Sequence, residues 1–455
     1  MTAHSITTPA AWFGCVSAIA GKDIMQTLED LQTGRLAGAR HVKLACGLTA
    51  FPEAIFTLAD TLESLDLSGN ALSVLPDDLH RLYRLRILFC SNNRFTEFPA
   101  VLGQCANLSM IGFKANRIRR VPPGALPPRL RWLILTDNEI DALPDDIGNC
   151  PDLQKLMLAG NQLSALPDGL ARCTRLELLR IAANRLTQLP AWLPELPRLS
   201  WLAFAGNPFS AAAERSTGTA QPIAWRDLDI GECLGEGASG HIYRALYRSA
   251  DTSRTVAVKV FKGAVTSDGL PDCELSACLA AGAHPNLIPV IGRVADHPDH
   301  RQGLVMEMID TRFVTLAGPP SLESCTRDIY SPDAVFDTEA AFAIARGIAA
   351  AACHLHALGL MHGDLYAHNI LHDGRGAALL GDFGAASFYD LGDASAAAFE
   401  RLEVRAFGCL LEELVARCVS ASPQASRLAD LRDACLDEVP ANRPSFARIV
   451  EGLCL

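Results

Sequence analysis

LESLDLSGNALSVLPDDLHRLYR (residues 62–84) decides the first half of the chain. Leu62, Leu65, Leu67 and Leu72 fall at the spacing L-x-x-L-x-L-x-x-N-x-L, with Asn70 in the polar slot. Leu65 and Leu67 are two apart, the period of a short strand with one buried face. The Asn amide at its end is suited to bonding the backbone of the turn that follows. The same Asn returns at 93, 116, 138, 161, 184 and 207, in steps of 23, 23, 22, 23, 23 and 23. An apolar residue followed by Pro tracks it at Pro52, Pro76, Pro99, Pro122, Pro144, Pro167 and Pro190. Cys46 holds the Asn slot of an earlier unit. Such a unit is too small to bury its apolar face alone, so the units must stack.

This pattern resembles the leucine-rich repeat family from residue 42 to residue 207. The resemblance implies an α/β repeat solenoid, an arc with a strand in every unit. In 130–138, Leu130, Leu133 and Leu135 take the inward positions, which leaves Trp132 and Ile134 on the concave face. The same count places Ile87, Phe89, Met110, Met157, Leu178 and Trp201 there. A contiguous apolar stripe is expected to bind protein. Phe89, Trp132, Ile134, Met157 and Trp201 are the expected contacts, for a substrate, a regulatory protein or the chain's own second half. Against this stands the plainer reading, a solvated face with scattered apolar residues.

The flanks are less regular. Residues 1–41 read as an N-terminal extension and helical cap, with MQTLEDLQTGRLAG (25–38) helix-like. AAWFGCVSAIA (10–20) is apolar enough for a signal-peptide core, but no Lys or Arg precedes it. Residues 208–225, rich in Ala, Ser, Thr and Gly, read as a linker. The whole chain has 455 residues, is 49% hydrophobic and carries a formal net charge of −11. That balance argues against a nucleic-acid binder. No membrane span is expected, because no run of about 18 apolar residues occurs. The 15 Cys show no C-x-x-C spacing and read as buried thiols in a reducing, cytoplasmic setting. Delivery as a secreted effector remains the alternative location, and the Ala-rich composition fits a bacterial source.

In the second half, LGEGASGHIYRA (234–245) places Gly235, Gly237 and Gly240 as G-x-G-x-x-G, followed by Ile242. Dinucleotide-binding folds share that spacing, but there it opens a helix. Here the β-branched and aromatic HIYRALY continues it, so a strand hairpin is expected. Such a hairpin brings backbone N–H groups close to phosphates. VAVK (256–259) reads as a strand ending in Lys259, and Glu274 is the acid of the next helix. LVMEMI (304–309) reads as a buried strand leading to an adenine edge at Met306, Glu307 and Met308. HGDLYAHN (362–369) and Asp382-Phe383-Gly384 follow.

Five motifs in this order resemble the protein kinase family from about residue 226 to the C-terminus. The resemblance implies an α+β two-lobed protein-kinase-like domain, 226–455, that uses ATP and Mg²⁺. By it, Lys259 positions phosphates, Glu274 orients Lys259 and Asp364 takes or steers the acceptor proton. Gly235, Gly237, Gly240 and Ile242 cover the nucleotide, and Asn369 and Asp382 hold metal. Serine or threonine on a protein is the expected acceptor.

The sequence departs from the family pattern at three places. Gly363 stands where H-R-D has Arg, a non-RD loop, which suggests activity independent of a phosphorylated activation loop. Tyr366 stands where Lys is usual, with His368 near enough to supply charge instead. No A-P-E appears in the short stretch before VRAFGCLLEEL (404–414), so Glu400 or Glu403 is the expected partner of Arg443. Two alternatives stay open: an ATP-binding pseudokinase scaffold, and a small-molecule phosphotransferase of the aminoglycoside or choline kind.

Overall fold

The computed structural model describes residues 26–214, 221–237, 239–249, 253–262, 266, 268–419 and 422–454. The apolar segment 10–20, Cys15 and residues 215–220 of the expected linker lie outside them. Two compact units divide the chain near residue 211.

In the first unit, helix α1 (Leu28–Gln32) opens on a reciprocal cap. The Asp30 N–H donates to Thr27 Oγ1 at 3.1 Å, and the Thr27 N–H donates to Asp30 Oδ2 at 3.0 Å. Eight three-residue strands follow in strict order as one parallel sheet. They are β1 (His41–Lys43), β2 (Ser64–Asp66), β3 (Ile87–Phe89), β4 (Met110–Gly112), β5 (Trp132–Ile134), β6 (Lys155–Met157), β7 (Leu178–Arg180) and β8 (Trp201–Ala203). The central residue of each strand, from Val42 to Leu202, is buried in the solenoid core.

Asn side chains tie successive units together. Asn138 Nδ2 donates to Leu135 O at 3.0 Å and to Phe113 O of the preceding unit at 2.9 Å. Its Oδ1 accepts from the Ile118 N–H at 3.0 Å. Asn161 and Asn184 repeat the arrangement one and two units on. This is why the Asn recurs: a short polar side chain satisfies three buried backbone groups that the tight turn leaves orphaned. The residue before each ladder Asn adopts positive φ, between 53° at Asn92 and 75° at Gly69. Short 3₁₀ turns such as Asp145–Asn149 and Asp168–Arg172 return the chain on the far side. The 22-residue step falls where 122–128 is Pro-rich, and no 3₁₀ turn lies between β4 and β5.

Registry places Met110, Trp132, Lys155, Leu178 and Trp201 in one row of the sheet, and Phe89, Gly112, Ile134, Met157 and Arg180 in the next. The expected open apolar stripe is corrected here. Trp132 and Trp201 are 3% and 1% exposed, and Met157 is also buried. Only Phe89 and Ile134 of the five keep appreciable surface. Lys155 Nζ, one strand away, lies 4.3 Å from the Trp132 ring centre.

The second unit begins with α2 (Ala211–Glu214) and a six-stranded sheet. Its strands are β9 (Pro222–Ala224), β10 (Leu228–Glu236), β11 (Gly240–Arg248), β12 (Ser253–Phe261), β13 (Val290–Ala295) and β14 (Gly303–Glu307). The spatial order is β10-β11-β12-β14-β13-β9. Residues 222–224, at the end of the stretch read as linker, are an edge strand paired in parallel with β13. Helix α3 (Pro271–Ala281) starts on Pro271, as fits a residue with no N–H to lose.

A helical half follows, built on α4 (Thr338–Ala357), α5 (Ala396–Val415), α6 (Pro423–Cys435) and α7 (Phe446–Cys454). Helix α4 is long and apolar enough to cross a membrane, yet its apolar residues are mostly buried within this unit. The helix expected over 404–414 starts earlier, at Ala396. The segment between Asp382-Phe383-Gly384 and that helix is correspondingly shorter. Among the described residues, the cysteines are free and mostly buried; Cys46, Cys233 and Cys454 are exposed. Burial raises the Cys150 thiol to about 12, so it stays neutral.

Candidate active site

The glycine-rich stretch is a strand hairpin. Strands β10 and β11 pair antiparallel, and the Gly237 N–H donates to Gly240 O at 2.9 Å. A Cβ on Gly240 would sit 2.5 Å from Val260 O, so no larger residue fits this close approach. Ile242, on β11, pairs with Lys259 on β12, and Lys259 pairs with Leu304 on β14. The lysine is thereby fixed at the floor of the sheet by ladders on both sides.

Lys259 Nζ forms a buried ion pair with Glu274 Oε1 and stands 3.8 Å from Asp382 Oδ1. Burial alone would lower this ammonium; the Glu274 and Asp382 carboxylates overcome it and hold the group above its ordinary range. Glu274 lies in the first turn of α3. That helix is fastened to the rest of the site by the turn at 284–286. Asn286 Nδ2 donates to Ala378 O at 2.9 Å, and Asn286 O accepts from the Leu380 N–H at 2.8 Å. The Lys259–Glu274 pair and the strand Ala378–Leu380, which leads to Asp382, are so held in one frame.

Leu234, Ile242, Ala257, Lys259, Met306 and Met308 line a cleft whose walls also include Glu307, Cys278 and Asp382. Apolar walls with convergent charge at one end suit a flat heterocycle carrying phosphates. Met306, Glu307 and Met308, expected at an adenine edge, are among the cleft's lining residues.

On the far side, Asn369 Nδ2 donates to Asp364 Oδ2 at 2.7 Å and to Asp364 O at 2.9 Å. The Asn amide thereby orients the Asp carboxylate and leaves its own oxygen end as a ligand. Asp382 adopts φ 56°, with its Oδ1 accepting from the Gly384 N–H at 3.2 Å. Carboxylate and amide oxygens are the donors Mg²⁺ takes, so Asp382 and Asn369 fit the metal. His362 is fully buried, bonds Gly381 O at 2.9 Å and packs on Phe383 with ring centres 5.0 Å apart.

Gly363 has φ 73°. A side chain is strained there, and glycine is not. The missing Arg therefore has a local backbone reason. Glu403 holds this turn from beneath: its Oε1 accepts from the Gly363 N–H at 2.6 Å and its Oε2 from the His362 N–H at 3.1 Å. Glu403, one of the two acids expected to partner Arg443, is engaged by these bonds instead. Arg443 donates to the backbone oxygens of Asp437 and Arg401, and Glu400 accepts from the Phe446 N–H at 2.7 Å.

The sequence reading missed what backs Glu403. His356 Nε2 meets Glu403 Oε2 at 2.8 Å, and His356 Nδ1 meets the Tyr389 hydroxyl at 2.8 Å. Despite burial, which raises it, these contacts hold the Glu403 carboxyl below its usual value. No motif marks His356 or Tyr389; only the fold brings them together.

The two candidates for the missing Lys separate. Tyr366 is buried and lies against His368, ring centres 4.9 Å apart and planes tilted by 36°. His368 Nδ1 bonds Asp328 Oδ1 at 2.7 Å, and the His368 N–H donates to Asp328 Oδ2 at 2.9 Å. Burial would lower this imidazole; Asp328, then Asp364 and Asp382, raise it above the ordinary histidine range. Asp328 comes from the irregular stretch 310–337, where no sequence signal pointed to it.

Comparison with known proteins agrees with this geometry. The protein kinase domain family matches residues 228–401, and leucine-rich repeat families match residues 61–82 and 128–186. CBL-interacting protein kinase 22 of Oryza sativa subsp. japonica is 31% identical over 187 residues, 39% of this chain and 40% of that protein. The DNA damage-responsive serine/threonine-protein kinase RqkA of Deinococcus radiodurans is 32% identical over 157 residues, 33% of this chain and 21% of its own length. A Dictyostelium discoideum protein titled "Probable inactive serine/threonine-protein kinase roco10" is 31% identical over 128 residues, 27% of this chain and 5% of its own. The chain thus spans well under half the length of these relatives. It carries leucine-rich repeats followed by a protein kinase domain.

Proposed function

We propose that the chain is an ATP- and Mg²⁺-dependent protein kinase that transfers the γ-phosphate to serine or threonine of a protein. The observation that carries this reading is the assembled constellation: the buried Lys259–Glu274 pair beside Asp382, facing Asp364 held by Asn369. Lys259 binds and orients the phosphates. Asp364 accepts the hydroxyl proton, with its carboxylate aimed by Asn369. The glycine hairpin excludes water. ATP would supply the phosphoryl group, and Asp382 and Asn369 would hold Mg²⁺, which would neutralise its charge.

The loop is of the non-RD kind, and its order comes from Glu403 and Gly363 rather than from a phosphorylated segment. His368, held by Asp328, is the cation beside the loop that takes the place of the usual Lys. The repeats recruit a protein partner, with Phe89 and Ile134 the concave residues that retain surface for it.

The test is incubation of the chain with γ-labelled ATP, Mg²⁺ and generic protein, followed by phosphoamino-acid analysis. Label on phosphoserine or phosphothreonine is expected. Label on small alcohols or aminoglycosides alone would favour the small-molecule class, and ATP binding with no transfer would favour a scaffold.

A further inference from the structure

The repeat unit carries a second polar site that the kinase chemistry does not use. Just before the strands, the 23-residue period brings one position of each unit to the same edge of the sheet. Arg86 precedes β3, Ser109 precedes β4 and Arg131 precedes β5. Two residues earlier, the same edge carries Asn107, Arg129, Asp152 and Arg175. Backbone bonds fix the neighbours: the Ser109 N–H donates to Arg86 O at 2.9 Å, and the Arg131 N–H to Ser109 O at 2.8 Å.

Together these residues line an open hollow. Four guanidinium groups face it against one carboxylate, in a chain whose net charge is −11. Arg86 and Arg131 stand two strands apart, roughly 10 Å at the usual strand spacing. Between them sits the unit of Asn107 and Ser109, whose short side chains leave room for a ligand.

The arginines of the hollow differ in their engagement. Arg129 touches Asn107 Oδ1 at 3.3 Å, a neutral acceptor, and Arg131 donates to Gln154 Oε1 at 2.5 Å. Arg175 pairs with Asp152 at 2.6 Å, on side chains about half exposed. Among the described residues, Arg86 has no side-chain hydrogen bond or ion pair.

The geometry points to a binding site for a phosphate monoester presented by a protein, a phosphoserine or phosphothreonine segment. Planar guanidinium forks bind such a dianion through paired, charge-assisted bonds. Asn107, Ser109 and Gln154 add the neutral donors and acceptors a peptide backbone needs. Every lining residue is polar, so nothing would enter a lipid layer, and no aromatic ring is there to stack a base. Preference for phosphate over carboxylate rests on the kinase reading, since a kinase generates phosphorylated segments around itself. The arginine site itself stands without that reading.

The experiment uses the full chain without ATP, titrated by fluorescence anisotropy against a degenerate phosphoserine peptide pool. The same pool unphosphorylated, inorganic phosphate, and phosphatidylcholine vesicles doped with a phosphoinositide are the comparison arms. The phosphorylated pool should bind about tenfold or more tighter than the unphosphorylated one. Added salt should weaken it, because the groups are exposed. Arg86→Ala with Arg129→Ala should remove the preference while leaving thermal unfolding unchanged. Equal binding of both pools, an unaffected double variant, or binding of inorganic phosphate or vesicles with no peptide preference would each overturn the proposal. Asp364→Asn should bind the phosphopeptides like the unaltered chain, which separates failure of this site from failure of the kinase reading.

Discussion

Gly363 shows how one residue can be explained by its backbone. At φ 73° it occupies a conformation that L side chains reach only with strain. Gly363→Ala should lower the stability of the kinase unit by about 1 kcal/mol, read as a shift in urea midpoint. Glu403 is the matching polar case. Its folded carboxyl lies below the unfolded value of about 4.3, so its contribution is present above that pH. As pH falls through the folded value, the contribution is lost. The midpoint of urea unfolding should therefore fall more steeply on acidification in the unaltered chain than in Glu403→Gln. In sequence Glu403 reads as a candidate partner of Arg443, and its role beneath the catalytic loop is not legible. The two N–H groups it satisfies lie 41 and 40 residues away, and no local pattern records that.

At the scale of elements, the repeat turn is the clearest case. Asn138 is buried and closes three backbone groups that have no other place to go. Asn138→Ala should cost roughly 3 kcal/mol, measured by denaturant unfolding of the repeat unit. The period, the strand positions and the Asn ladder were readable because they depend on local geometry repeated in register. The concave stripe was misread for a related reason. Alternation tells which face a side chain takes, but Trp132 and Trp201 are covered through neighbours that alternation does not describe. The glycine hairpin was legible from the β-branched residues after Gly240, which exclude a helix there. Helix α5 was read eight residues short, since AAAFERLE (396–403) has no strong start signal: its N-terminal residue Ser395 makes no side-chain cap bond.

Across the whole molecule, a solenoid unit and a kinase unit share one acidic chain. Lys259, Glu274, Asp364, Asn369 and Asp382 were named from motifs because each motif sits on its own element. Asp328, His356 and Tyr389 were not, because their importance arises only when stretch 310–337, helix α4 and the segment after Gly384 meet the loop. The central claim is that this assembled site transfers phosphate through Asp364. It is tested most directly by single-turnover transfer from γ-labelled ATP with Mg²⁺, comparing the unaltered chain with Asp364→Asn at equal, saturating nucleotide. The account predicts protein-bound label in the first and a fall of about 10²–10⁴-fold in the second, with ATP binding retained. Equal transfer rates in both, or none in either while ATP binds, would contradict it.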